Sequence, residues 1–165
     1  MMYTTKELEL LELLEEKGYL ESKLLANLLA TDEATVEAML EKFKEDGVLL
    51  GFRAMVNWQK INRHDVTAFI DVKVTPKRGR GFDEVAERIY RFPEVTALYL
   101  MSGAYDLQVV IRANSLQDVA SFVSDKLSPL DSVVSTTTHF KLKTYKHDGI
   151  LFTPQVEDKR LNITP

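Results

Sequence analysis

The chain has no cysteine, which excludes a disulfide framework, a thiolate metal cage and a cysteine nucleophile. Only 7 Gly and 5 Pro occur among 165 residues, too few for a collagen-like or low-complexity polymer. The three histidines, His64, His139 and His147, never pair at metal-ligand spacing, and neither HExxH nor a carboxylate cluster accompanies them. A P-loop, a GxSxG elbow and a dinucleotide fingerprint are all missing. No apolar run approaches the roughly 18 residues of a membrane span. The first twenty residues carry Glu7, Glu9, Glu12, Glu15 and Glu16, which does not suit a signal peptide. The expectation is a soluble, cytoplasmic, non-enzymatic chain with no cofactor, no metal and no membrane partner.

What is present is enough apolar material for packed cores, at 45% hydrophobic and 28% charged residues. The charge is uneven. Net charge is −4 overall, with −5 over residues 1–60 and +1 over the rest. The hydrophobic period also changes near residue 60, so the sequence divides into residues 1–60, residues 61–148 and a C-terminal tail over 149–165. In that tail Ile150, Leu151 and Phe152 form an apolar cluster expected to pack on a neighbouring subunit, and the residues from about Gln155 are polar.

Thr4-Thr5-Lys6-Glu7 reads as a capping box, in which Thr4 and Glu7 satisfy each other's backbone amides. Leu8, Leu11 and Leu14 follow at helical spacing, and Gly18 supplies a left-handed stop. A second helix spans about residues 21–29. Ala30-Thr31 makes a tight turn, and Thr31 or Asp32 caps a third helix that ends at Gly47, with Val36, Leu40 and Phe43 inward. Residues 48–56 are rich in branched and aromatic side chains and read as an extended strand pair. Three helices with a tight turn before the third, then a strand pair, is the order of a winged helix-turn-helix; a generic three-helix unit is the plain alternative.

Beyond residue 65 the period is two. Val66, Ala68, Ile70, Val72 and Val74 share a strand face. The basic loop Lys77-Arg78-Gly79-Arg80-Gly81 leads into a helix carrying Phe82, Val85, Ala86, Ile89 and Tyr90. This loop reads as a solvated connection, with anion binding as the alternative. Strands over 95–101 and 105–113 are joined by a hairpin at Ser102-Gly103-Ala104. A helix opening at Ser115 carries Leu116, Val119, Val123 and Leu127, and a long last strand covers 131–145. The fold class is α+β: a winged helix-turn-helix followed by a ferredoxin-like βαββαβ domain with both helices on one sheet face. The other face, assigned Phe69, Leu98, Leu100 and Val110, lacks a cover, so a second copy packing sheet against sheet is expected.

The hairpin invites a ligand on physical grounds. Gly103 permits positive φ and close approach to the main chain. Asp106 could accept from an ammonium group, and Thr136 or Thr138 could meet a carboxylate. The competing reading is a plain hairpin in which Asp106 bonds its own backbone.

With Glu45-Asp46-Gly47-Val48-Leu49, Gly51-Phe52-Arg53-Ala54, Phe92-Pro93-Glu94-Val95, Ser102-Gly103-Ala104-Tyr105-Asp106-Leu107 and Thr136-x-Thr138 in this order, the chain resembles the Lrp/AsnC family of transcription regulators over about residues 4–146. The Ser102–Leu107 stretch matches the family's Gly-x-x-Asp hairpin. The resemblance implies an N-terminal domain that binds double-stranded DNA. It also implies a C-terminal domain that dimerises, often builds octamers as tetramers of dimers, and commonly binds an amino-acid effector. Carried onto this sequence, the DNA-binding candidates are Thr31, Thr35, Ala38, Met39, Lys42, Lys44 and Arg53, with Lys60 reaching phosphates. The effector candidates are Met101, Gly103, Ala104, Tyr105, Asp106, Thr136 and Thr138, and His139 is either a structural group or an effector contact. The third helix departs from the family by presenting Glu33, Glu37 and Glu41, which repel phosphates. Two readings follow: weak DNA contacts multiplied by oligomer avidity, or a helix-turn-helix that has lost DNA and serves protein partners. Certain haem-pathway decarboxylases resemble the same architecture, but the sparse histidines and the small hairpin argue against catalysis.

Overall fold

The computed structural model describes residues 2–61, 63, 65–75 and 81–152. His64, the Lys77-Arg78-Gly79-Arg80 stretch and the tail from Thr153 lie outside the described residues. The chain forms two compact units that divide between Val56 and Asn57.

In the first unit, α1 (Thr5–Lys17) starts from the expected capping box: Glu7 N–H donates to Thr4 Oγ1 at 3.3 Å, and Thr4 N–H to Glu7 Oε2 at 2.7 Å. Gly18, at φ 76°, ends the helix. The next two helices are α2 (Ser22–Leu28) and α3 (Glu33–Glu45). Asp32 rather than Thr31 caps α3, its Oδ1 accepting from Thr35 N–H at 2.9 Å. Leu10, Leu14, Leu25, Ala26, Leu29, Val36 and Phe43 form the core, with Leu40 and Met39 half-buried against it. Full burial of a Leu or Phe contributes about 1.5–3 kcal/mol, so these seven residues hold three short helices that would not persist alone.

The expected strand pair over 48–56 does not form; among the described residues of this unit there is no strand. The amides of Val48 and Leu49 are spent on α3, both donating to Phe43 O at 2.9 and 3.0 Å around Gly47 at φ 68°. That leaves a short extended run with no second strand beside it, and an isolated two-stranded ribbon is marginal in water. Phe52 instead packs edge-on against Tyr19, with ring centroids 5.6 Å apart, while Leu50 is 91% exposed.

The second unit has the order β1 (Val66–Val74), α4 (Asp83–Tyr90), β2 (Val95–Leu100), β3 (Leu107–Ala113), α5 (Leu116–Phe122) and β4 (Val133–Phe140). The sheet is antiparallel with strand order β2-β3-β1-β4. Ala68, Ile70, Val72 and Val74 from β1 and Leu107, Val109 and Ile111 from β3 are buried with Val85 and Ile89 of α4 and Val119 and Phe122 of α5. Both helices therefore cover one sheet face, as the alternation requires.

Four details differ from the sequence reading. Tyr90 is 56% exposed, because it stands one residue, about 100° of helix, past the buried Ile89. Leu116 is 59% exposed: the buried face centres between Val119 and Phe122, about a quarter-turn from Leu116. The helix then widens into a π turn (Val123–Leu127), which buries Leu127 and leaves Val123 half-buried.

The third difference is the open sheet face. β2 carries a bulge between Val95 and Ala97, so Val95 pairs with Ile111 but Ala97 with Val110 and Leu98 with Val109. The extra residue, Thr96, anchors the bulge by donating from Oγ1 to Val110 O at 3.1 Å. A one-residue insertion exchanges the two faces of every residue after it. Leu98 and Leu100 consequently turn to the helix side, Leu98 packing on the core and Leu100 remaining 63% exposed near the strand end. The open face carries Phe69 and Val110 as expected, with Ala97 and Tyr99 in place of the two leucines.

The last strand is shorter than expected. Its final bond to β1 is Lys141 N–H to Thr67 O at 2.9 Å; β1 begins at Val66, so no partner backbone remains. The chain then folds back through Asp148-Gly149, at φ 44° and 77°, into a small hairpin of β5 (Lys146–His147) and β6 (Ile150–Leu151). Positive φ at both central residues is the tight-hairpin geometry that Asp-Gly favours.

Candidate functional site

The exposed face of α3 and the hairpin between β2 and β3 are the two places where the candidate residues fall. On α3, Thr35 lies in the first turn and donates from its hydroxyl to Asp32 Oδ2 at 2.6 Å. Thr31, in the turn, donates its amide to Ala26 O at 3.0 Å. Ala38 is exposed, whereas Met39 leans onto the core. The two α3 lysines are engaged. Lys42 Nζ sits 2.7 Å from Glu7 Oε1 and 5.0 Å from the centre of the Tyr3 ring, and Lys44 Nζ lies 3.3 Å from Glu41 Oε2. The hydrogen bond from Lys42, with those from Thr4, holds the Glu7 carboxyl at about 2, below its ordinary value, against the opposing effect of burial. Arg53 and Lys23 are exposed and make no ion pair among the described residues. The two lysines of α3 are thus paired within the unit, while Glu33 and Glu37 stand exposed.

Two further features of this turn are not apparent in the helical pattern. Ala30 adopts φ 48°, a left-handed conformation that costs a residue with a Cβ. Its carbonyl accepts from Lys6 Nζ at 3.2 Å, which ties α1 to the turn.

The hairpin spans residues 101–106, closed by Met101 N–H donating to Asp106 O at 2.8 Å, with Gly103 at φ 127°. Met101, Gly103 and Ala104 are exposed; Tyr105 and Asp106 are half-buried. Asp106 is bound to β1 at two points. Its amide donates to Val72 O at 3.1 Å, and its Oδ2 accepts from Val74 N–H at 2.9 Å. Lys73 Nζ lies 3.6 Å from Asp106 Oδ1 and 3.5 Å from Ala104 O. Past the last β1–β3 pair, Val72 with Leu107, the Val74 amide has no ladder partner on β3, and the carboxylate takes that place.

The threonines divide between the faces. Thr136 and Thr138 pair with Val72 and Ile70 and so share the helix-covered face. Thr137, between them, is on the open face, and its hydroxyl is 2.8 Å from Tyr105 Oη. The structure therefore joins Tyr105 to Thr137 rather than to Thr136 or Thr138. Lys73, Val74 and Thr137 were the residues missed around the hairpin; strict alternation along β4 would have set Thr137 apart from its neighbours. Nearby on the open face, His139 Nε2 is 3.0 Å from Asp71 Oδ2, and Gln108 Nε2 donates to Asp71 Oδ1 at 3.1 Å.

Residues 67–151 match the family model described as the Lrp/AsnC ligand binding domain. The chain belongs to the Lrp/AsnC family. Over its whole length it is 55% identical to an uncharacterized HTH-type transcriptional regulator, YugG, of Bacillus subtilis, covering 100% of both chains. The proline dehydrogenase transcriptional activator of Rhizobium radiobacter is 28% identical, over 87% of this chain and 92% of its own. Among solved structures, Escherichia coli AsnC superposes with a TM-score of 0.68 at 20% identity, covering 89% of this chain and 97% of that one. The Neisseria meningitidis regulator NMB0573, solved with L-Met, superposes with a TM-score of 0.70 at 22% identity, covering 88% and 94%. These two share the fold.

Proposed function

We propose that this protein regulates transcription by binding duplex DNA through α3 and its surroundings, while the sheet unit joins copies and takes up a small metabolite at the hairpin. The observation that carries the reading is the full-length identity with an HTH-type regulator, together with an α2–α3 turn that leaves one side of α3 open to solvent. A major groove admits one helix, and Thr35 and Ala38 lie on the exposed side. Lys42 is held by Glu7 and Lys44 by Glu41, so Arg53 and Lys23 are the better-placed phosphate contacts. The acidic residues of α3 make each DNA head weak, and several heads on one oligomer raise the effective concentration. The protein works in the cytoplasm, where its DNA target lies, and the reading assigns it no catalysis.

The uncovered sheet face with Phe69, Val110 and Tyr99 favours a dimer, and larger assemblies extend it. At the hairpin an amino acid would meet the Gly103 backbone and Tyr105; because Asp106 already serves Val74 and Lys73, an ammonium group would compete with Lys73 for it.

The test is fluorescence anisotropy of the full chain with DNA from its own upstream region at low salt. Binding at micromolar protein is expected. Arg53→Glu and Lys23→Glu should each weaken it and lower the salt slope by about one per lost phosphate contact. No binding at micromolar protein overturns the DNA reading, and a monomer by sedimentation overturns the assembly.

A further inference from the structure

The small hairpin of β5 and β6 stands apart from the four-stranded sheet. A two-stranded ribbon is marginal in water by itself, and burial does little for this one, since Ile150 and Leu151 are each 50% exposed. It is held at its open end. Phe152 N–H donates to Tyr145 O at 2.9 Å, and Phe152 O accepts from Asn57 Nδ2 at 3.0 Å, across 95 positions of sequence. Phe152 is itself half-buried.

Asn57 is the first residue of the sheet unit, directly after the division at Val56. Both ends of its side-chain amide are used. Oδ1 accepts from Gln59 N–H at 3.2 Å and opens the 3₁₀ turn Trp58–Lys60, while Nδ2 reaches the hairpin. Further on, the Arg63 guanidinium stands 4.8 Å from the centre of the Trp58 ring, and its Nε lies 3.2 Å from Asp65 Oδ2. Those later contacts are local: they shape the stretch without fixing it to anything distant. The bond to Phe152 O is different. The turn is already capped by Oδ1, so the donation from Nδ2 adds nothing to it and instead anchors the start of the unit to its C-terminal hairpin.

We propose that the C-terminal hairpin is a strap that fixes the point from which the helical unit is tethered, with Asn57 as the positioning residue. This role rests on the DNA reading above. With Asn57 held, the tether leaves the sheet unit at one place. With Asn57 released, the fixed point retreats to β1 at Val66, and the stretch 57–65 adds up to ~30 Å of reach. The effective concentration of a second head for DNA held by a first falls steeply with tether length. An open strap therefore weakens binding by an assembly and leaves the phosphate contacts of each head unchanged.

Two variants loosen the strap from opposite ends. Asn57→Asp keeps the oxygen that caps Gln59 but loses the donor to Phe152 O. Gly149→Val strains the hairpin turn, where φ is 77°, and leaves Asn57 untouched. In fluorescence anisotropy of the full chain with DNA from its own upstream region, each should weaken binding about threefold or more, with circular dichroism confirming the fold. The salt slope should not change, because no phosphate contact is lost. The double variant should bind no more weakly than either single one, since both break the same tie. Trypsin should cut after the exposed Lys60 faster in both. The proposal is overturned if both variants bind as the wild type does, if only Asn57→Asp weakens binding, or if the two losses add. If the wild type binds no DNA, the DNA reading falls and cleavage at Lys60 decides the strap: faster cutting in both variants upholds it, and wild-type rates overturn it.

Discussion

The carboxylate of Glu7, near the start of α1, meets the ammonium of Lys42, in the last turns of α3, at 2.7 Å. It also closes the capping box of its own helix through Thr4. Folding lowers the carboxyl value, so this stabilisation is complete above the ordinary value of 4.5 and is lost as pH falls through about 2. Glu7→Gln should therefore lower the urea midpoint at neutral pH and flatten its decline across that acid window. A variant whose midpoint falls as steeply as the wild type's would show that the contact carries no linkage.

Ala30 occupies left-handed space at φ 48° between α2 and α3. An L-residue pays ~1–2 kcal/mol there, while glycine gives part of that back through its freer unfolded chain. Ala30→Gly should stabilise the protein by about 0.5–1 kcal/mol, read as a higher melting temperature. Ala30→Val should move it the other way.

Thr96 sets which face of β2 is inside. Thr96→Val removes only its hydrogen bond to Val110 O and should cost about 1 kcal/mol in urea unfolding. Deleting Thr96 removes the bulge residue and leaves Val95, Ala97 and Leu98 in plain alternation opposite Ile111, Val110 and Val109, so Leu98 should stay on the helix side and Tyr99 on the open face. A deletion variant in which Tyr99 becomes protected and Leu98 exposed would contradict the register.

Asp106 holds the hairpin to β1. Asp106→Ala leaves the Val74 amide without its acceptor and should cost about 1–3 kcal/mol, with faster hydrogen exchange at Val74 and Asp106. Asp106→Asn keeps an acceptor and should recover most of that loss. Any loss of effector binding in Asp106→Ala must accordingly be compared with Asp106→Asn before Asp106 is assigned to the ligand.

Regular patterning made much of this legible. The Thr4–Glu7 box, the β1 alternation and the hairpin glycine each follow from local chemistry, and each appears where the residues place it. The departures come from single residues with no periodic signal. Thr96 resembles any strand threonine, yet as the bulge residue it exchanged the expected faces of Leu98 and Leu100. The capping of α3 by the Val48 and Leu49 amides removed the start of an expected strand. Asp148-Gly149 is a strong hairpin dipeptide, overlooked because Asp131 to Tyr145 read as one unbroken strand. At the candidate sites, residue types were legible but partners were not: nothing in the spacing couples Lys42 to Glu7, 35 positions away, or Asp106 to Val74.

Asp71, in the middle of β1, divides its two oxygens between Gln108 on β3 and His139 on β4. Three adjacent strands are thereby riveted by side chains as well as by their main-chain ladders. Sliding one past another would break both kinds of tie at once, so the sheet behaves as a stiff plate. Any motion that a bound metabolite provokes in this unit must be expressed at its rims, in the hairpins and the helices laid upon it.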